Sequence, residues 1–170
     1  VSRIAEDTEQ FLCLMRAHGA VVGGSAVLQI VYPTMTDVTD YDLFVPARSA
    51  TAFIAHLIQV EGYGLYNRDD IDYWSGVSSH VKLRKEGRTV DVLGVGVGDE
   101  WDRVLLPIAR AWATLLINYA TADELCITYP SLTLQGKALL RLEHTLDVSF
   151  PGGTNMVEVQ KYQDRGIEFR

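Results

Sequence analysis

Basic side chains and cysteines are both scarce in this chain of 170 residues. Fifteen Lys and Arg stand against 22 Asp and Glu, a formal net charge of −7 with a pI near 5.0, so there is no overall electrostatic reason to bind a polyanion such as DNA or RNA. Cys13 and Cys126 form neither a Cys-x-x-Cys pair nor a secreted disulfide framework. Reduced thiols in an intracellular, cytoplasmic protein are the expectation. No charged segment followed by an apolar run opens the chain, and so no secretory signal is read. The most apolar stretch, residues 104–120, carries Pro107, Arg110 and Asn118. It is too short and too polar to span a bilayer and is expected to be a core helix, with no membrane partner.

Several motifs are also missing. Gly94, Gly96 and Gly98 lack the full Gly-x-Gly-x-x-Gly spacing, and Asp99-Glu100 follows where a pyrophosphate would have to sit, which excludes a dinucleotide loop. Asp69, Asp70 and Asp72 lack the turn glycine of a calcium loop and read as a solvated loop. Ser25 follows an apolar strand but has no Gly-x-Ser-x-Gly elbow and no well-placed histidine, so a serine hydrolase is set aside. No internal repeat or low-complexity tract is present.

What the chain does have is 48% hydrophobic and 9% aromatic residues, enough for one globular domain with a sizeable core. Its centre of organisation is residues 21–46, VVGGSAVLQIVYPTMTDVTDYDLFVP. A short apolar strand runs into Gly23-Gly24-Ser25, a helical segment covers 26–32, and a second strand carries Asp40 and Asp42. Strand alternation points both carboxylates the same way, with Leu43 and Val45 on the other side. Paired aspartates on a rigid strand suit a divalent cation. The two glycines let backbone amides approach a ligand closely, and Ser25 is expected to open the following helix, whose unpaired N–H groups favour phosphate. A third acid, Asp91, lies inside the apolar run Thr89-Val90-Asp91-Val92-Leu93 and should face a cleft or a cation, because a buried lone carboxylate is costly.

Gly-Gly-Ser, then acid-x-acid on a strand, then one acid on a later strand, resembles the nucleotidyltransferase superfamily of the DNA polymerase beta type. A closer likeness is to stand-alone fungal proteins of that fold. It rests on Tyr32-Pro33, Thr36, the TDYDLFVP run at 39–46, Thr114 with Asn118, Tyr129-Pro130 with Thr133, and Lys161-Tyr162 with Arg165-Gly166. The resemblance implies an α/β (α+β) fold in one compact domain, a mixed β-sheet flanked by helices, with a core over about 1–130 and a helical extension over about 131–170. It also implies phosphoryl transfer, in which a hydroxyl attacks the α-phosphate of a nucleoside triphosphate such as ATP and pyrophosphate leaves, with two Mg2+ ions, or Mn2+, in the site. Asp40, Asp42 and Asp91 would be the catalytic and metal-binding residues, and Gly23, Gly24 and Ser25 would bind the phosphates. A small-molecule or protein acceptor is expected over nucleic acid, and the alternative is a catalytically silent nucleotide-binding module of the same fold.

The remaining chain reads in order. A first helix capped by Ser2 runs to about His18 and stops at Gly19, and Ser49 caps another helix that ends near Gly62. A short strand at 63–66 precedes two longer ones, 77–84 and 88–95, flanking the hairpin turn Lys85-Glu86-Gly87. Lys82 and Arg84 are expected to be solvent-facing cations of an edge strand, and His80 a surface histidine. A helix at 108–119, a strand at 125–129, mixed helical character over 131–146 and a closing helix from Thr154 to about Arg165 complete the reading.

Overall fold

The structure is a computed structural model, and it describes residues 3–35, 38–67, 76–96, 104–141 and 154–170, with the side chains of 154–156 left aside. The acidic run Asp69, Asp70 and Asp72, the caps expected at Ser2 and Thr154, and Gly98 with Asp99-Glu100 therefore lie outside what can be described. Helix α1 (Thr8–His18) begins where the Asp7 carboxylate accepts the Gln10 N–H at 2.9 Å, and it ends on Gly19 in the left-handed conformation, φ 62°. Strand β1 (Val21–Gly23) leads directly into α2 (Gly24–Val31), and β2 (Asp40–Pro46) passes through a 3-10 turn at Ala47–Ser49 into α3 (Ala50–Gln59). Ser49 precedes α3 without capping it, because its hydroxyl meets His18 Nδ1 at 3.0 Å instead.

Next come β3 (Gly64–Asn67), β4 (Val77–Lys85) and β5 (Arg88–Val95). The β4–β5 hairpin closes as read from the sequence, with Glu86 at φ 49° and Gly87 at φ 78° giving the two positive φ angles that match the strand twist. With β6 (Tyr119–Ala120) and β7 (Leu125–Cys126), these strands form a seven-stranded sheet in the order β3-β4-β5-β2-β1-β6-β7. The β2–β5 pair is parallel and the other pairs are antiparallel.

Period-two alternation sorts this sheet into two faces. Val22, Tyr41, Leu43, Val45, Val81, Leu83, Val90 and Val92 pack with Phe11 and Met15 of α1 and Phe53 and Leu57 of α3 in one buried cluster. Asp40, Asp42, Thr89, Asp91, His80 and Lys82 have the opposite parity and fall on the other face. A second cluster joins Leu28 of α2 to Leu115, Ala138, Tyr162 and Ile167. It ties in the C-terminal segment, where β8 (Lys137–Ala138) pairs with β9 (Glu168–Phe169) and α6 (Thr154–Asp164) precedes β9.

The expected core helix at 108–119 does not form. Helix α4 spans only Leu106–Ala109, a 3-10 turn covers Thr114–Leu116, and β6 follows. Hydrogen bonds to segments further along the chain take the place of the helix here. Thr114 N–H donates to Leu139 O and Thr114 Oγ1 accepts the Leu139 N–H, while Asn118 donates to Leu115 O and accepts the Thr128 N–H. The strand expected at 125–129 is confined to Leu125–Cys126, and within 131–141, the described part of the stretch read as helical, α5 (Pro130–Thr133) is followed by β8. Among the described residues no helix is long and apolar enough to cross a membrane.

Candidate active site

Asp40 and Asp42 are two residues apart on β2, and the parallel register sets Asp42 beside Asp91 and Asp40 beside Thr89. Adjacent strands are about 4.8 Å apart and residues i and i+2 about 7 Å apart, so the three acids converge on one small area of one face. That area becomes progressively less accessible: Asp40 is exposed, Asp42 partly buried, and Asp91 only 6% exposed.

Burial pushes the Asp42 carboxyl up to about 6, and the neighbouring Asp91 and Asp40 charges push it in the same direction, against smaller opposing effects of Lys82 and His80. Asp91 is held from the far side by β4. His80 Nε2 lies 2.5 Å from Asp91 Oδ1 and Lys82 Nζ 3.4 Å from the same oxygen. Asp40 accepts a hydrogen bond from the Thr89 hydroxyl. The expectation of a surface histidine at His80 and a solvent-facing cation at Lys82 is therefore corrected, whereas Arg84 is exposed as expected, on a strand that is not an edge. Strand β3 covers the outer side of β4, so β4 is internal, and the Lys82↔Asp91 register turns His80 and Lys82 toward the acid. Their shared parity was readable in the sequence; their partner was not.

The donor set, three carboxylates with their excess negative charge expressed in the raised Asp42, has the hard-oxygen chemistry that suits Mg2+ or Mn2+. As the side chains stand, with Asp91 engaged by β4 and Asp40 by Thr89, no group of three His, Cys, Asp or Glu among the described residues is gathered to hold an ion.

The Gly-Gly-Ser turn lies against the same acids. Gly23 pairs with Asp42. Gly24 has φ +64°, and a Cβ built there would lie 2.0 Å from Asp42 Oδ2. No side chain other than hydrogen fits this position, so Gly24 makes room for the carboxylate as well as for any ligand. The helix begins two residues earlier than expected, with Gly23 as its cap and no side-chain capping bond, which places Ser25 inside the first turn. The side chain of Ser25 lies beside the Tyr162 hydroxyl of α6. Burial raises the Tyr162 phenol far above its ordinary value, and Arg165 Cζ and Lys161 Nζ stand 5.3 Å and 5.9 Å from its ring centre. No local pattern around Tyr162 links it to this turn; its one signal in the sequence is the Lys-Tyr…Arg-Gly likeness.

No model of a protein family matches the chain, and no curated protein matches it in sequence. Among solved structures it is similar to a CCA-adding enzyme in complex with ATP, with a TM-score of 0.67, 14% sequence identity, and coverage of 99% of this chain. The chain spans 41% of the length of that structure. The fold is thus a nucleotidyltransferase-like mixed sheet flanked by helices, a likeness of architecture.

Proposed function

We propose that the protein is a magnesium-dependent nucleotidyltransferase that moves a nucleoside monophosphate from a nucleoside triphosphate to a hydroxyl acceptor. The observation that carries this reading is the parallel β2–β5 register, which sets Asp42 beside Asp91 with Asp40 two residues along and Gly24 packed on Asp42. The ATP named with the structurally similar enzyme supports a nucleotide as the donor. The closer likeness to the stand-alone fungal proteins adds the Lys-Tyr…Arg-Gly residues of the C-terminal segment, and Tyr162 among them touches the turn.

Asp40, Asp42 and Asp91 would hold Mg2+, which supplies neutralisation of charge on the transferring phosphoryl group. The amides of Gly23 and Gly24 and the hydroxyl of Ser25 bind and orient the terminal phosphates at the start of α2. Asp91, innermost of the acids, stands on the side from which a hydroxyl approaches and receives its proton.

The test is calorimetry of the four ribonucleoside triphosphates with Mg2+, followed by pyrophosphate release over an acceptor panel. Nucleotide binding should require the ion, and Asp42→Asn and Asp91→Asn should each abolish release while the domain stays folded. Turnover retained in the double variant would overturn the assignment. One observation favours a silent binding module instead: Asp91 already has His80 and Lys82 as partners. Binding without release of pyrophosphate across the whole panel would select that reading.

A further inference from the structure

The face of β4 beside Asp91 carries cations that this acidic chain uses sparingly elsewhere. His80, Lys82 and Arg84 alternate along β4 and so share the face of the carboxylates, with Lys82 opposite Asp91 and Arg84 opposite Thr89. Lys85 and Arg88 have the other parity and are engaged away from it, Lys85 with Glu6 and the Glu61 carbonyl, Arg88 with Glu86 and the Arg3 carbonyl. Arg84 is exposed, and its guanidinium lies 5.2 Å from the centre of the Tyr66 ring, an aromatic that is 58% exposed on β3. Stacking of this kind holds the planar fork in place while leaving its N–H groups available to an anion.

The order of the strands says what that anion accompanies. The Gly-Gly-Ser turn follows β1, the acids are on β2 and β5, and the cations are on β4, in that sequence across the sheet. In-line displacement at phosphorus places the entering oxygen opposite the leaving group. With the terminal phosphates on the turn, the entering hydroxyl comes from the β4 side. A neutral acceptor would have no use for Arg84, whereas one bearing a phosphate needs it, together with the Lys82 charge that already offsets Asp91, to approach past Asp40 and Asp91.

We infer that β4, through Lys82 and Arg84 over Tyr66, seats the phosphate ester of a small phosphate-bearing acceptor beside Asp91. The inference rests on the nucleotidyltransferase reading for the acceptor's role. In the step it serves, the acceptor oxygen forms a bond to the α-phosphorus and the α,β-bridging P–O bond breaks. The electron pair leaves on pyrophosphate, and the hydroxyl proton passes to Asp91 and then to solvent. The net acidity of the chain, −7, disfavours a long polyanion in this seat.

The experiment follows amide chemical shifts of the isotope-labelled protein on adding ribose 5-phosphate, ribose, a short single-stranded RNA, or ATP with Mg2+. Ribose 5-phosphate should perturb residues 80–84 and 91, ribose should not, and Arg84→Gln or Lys82→Gln should weaken the response at least about 10-fold, as expected for loss of a charge-assisted contact. Equal responses to ribose, a response confined to residues 23–25, or an unweakened Arg84→Gln would overturn the inference. Tighter binding of RNA to the same amides would overturn its restriction to small acceptors. ATP with Mg2+ should perturb residues 23–25 in wild type and in Arg84→Gln alike. If it perturbs nothing while ribose 5-phosphate still moves β4, the nucleotide reading fails and the acceptor role falls with it, leaving a bare anion site.

Discussion

Replacing Asp42 by Asn should make this protein more stable, and only above a definite pH. The Asp42 carboxyl has an ordinary value of 3.8 and is raised to about 6 in the folded chain, first by burial and then by Asp91 and Asp40. Below 3.8 the group is protonated whether the chain is folded or not and contributes no pH dependence. Between 3.8 and about 6 the unfolded chain has already released the proton that the folded chain retains, so stability falls as pH rises through this window. Above it both states are ionised, and the folded state carries the full penalty. An interval of about two pH units at about 1.4 kcal/mol each gives roughly 3 kcal/mol. Asparagine keeps the shape and removes the charge, so Asp42→Asn should match wild type near pH 4 and exceed it by about 1–3 kcal/mol at pH 7.5. For a domain of this size that is a rise in Tm of roughly 2–12 °C. The measurement is urea unfolding followed by circular dichroism, in chelator and at constant ionic strength, for both proteins from pH 4 to 8. The exposed acids Glu6, Asp123 and Glu168, held below their ordinary values by Lys85, Arg16 and Arg170, lose their favourable pairing at low pH in both proteins and cancel in the difference. A gap that does not change with pH, or no gap at pH 7.5, would refute the electrostatic account. If the site takes Mg2+, adding the ion at pH 7.5 should raise the stability of wild type more than that of Asp42→Asn.

Three further substitutions test the geometry around this acid. Gly24→Ala places a Cβ 2.0 Å from Asp42 Oδ2 at a backbone φ of +64°, and thermal unfolding should show a loss of about 2 kcal/mol or more from strain and displacement of the carboxylate. Tyr162→Phe keeps the ring in its cluster but removes the hydroxyl that faces Ser25. It should cost about 1 kcal/mol in denaturant unfolding, and the cost should vanish in a Ser25→Ala background if the contact between the two hydroxyls is the cause. Asn118→Ala leaves the Thr128 N–H and the Leu115 carbonyl without their side-chain partner. A loss of about 1–3 kcal/mol in the same assay is expected, and an unchanged midpoint would show that water replaces both bonds.

The parts of the fold legible in the sequence are those whose signal is local. The alternation of Tyr41, Leu43 and Val45 against Asp40 and Asp42 is a property of one strand, and the Glu86-Gly87 turn needs only its two positive φ angles. Residues 104–120 show where the local signal fails. Their composition is apolar and their periodicity ambiguous, and the outcome was decided by Thr114 bonding to Leu139 and Asn118 to Thr128, partners 25 and 10 residues away. No propensity scale contains such bonds. The start of α1 follows its own cap, Asp7 on Gln10, whereas α3 starts after Ser49 as read although the Ser49 hydroxyl is engaged by His18.

The site divides along the same line. Which residues share a face follows from parity, but which residue stands beside which depends on register between strands that are distant in sequence. The β2–β5 register, across about fifty residues, sets Asp42 against Asp91; the β4–β5 register then sets Lys82 against the same acid, with His80 reaching it from two residues along the strand. Each side of Asp91 thus has an opposite electrostatic character, acidic toward β2 and cationic toward β4. On the acidic side a Cβ at Gly24 would collide with Asp42 Oδ2, which makes glycine a requirement of the carboxylate and not of the turn alone. A bare Gly-Gly-Ser or Asp-x-Asp elsewhere need not carry this constraint. Here the two motifs are in contact, and a side chain at Gly24 must displace the carboxylate of Asp42.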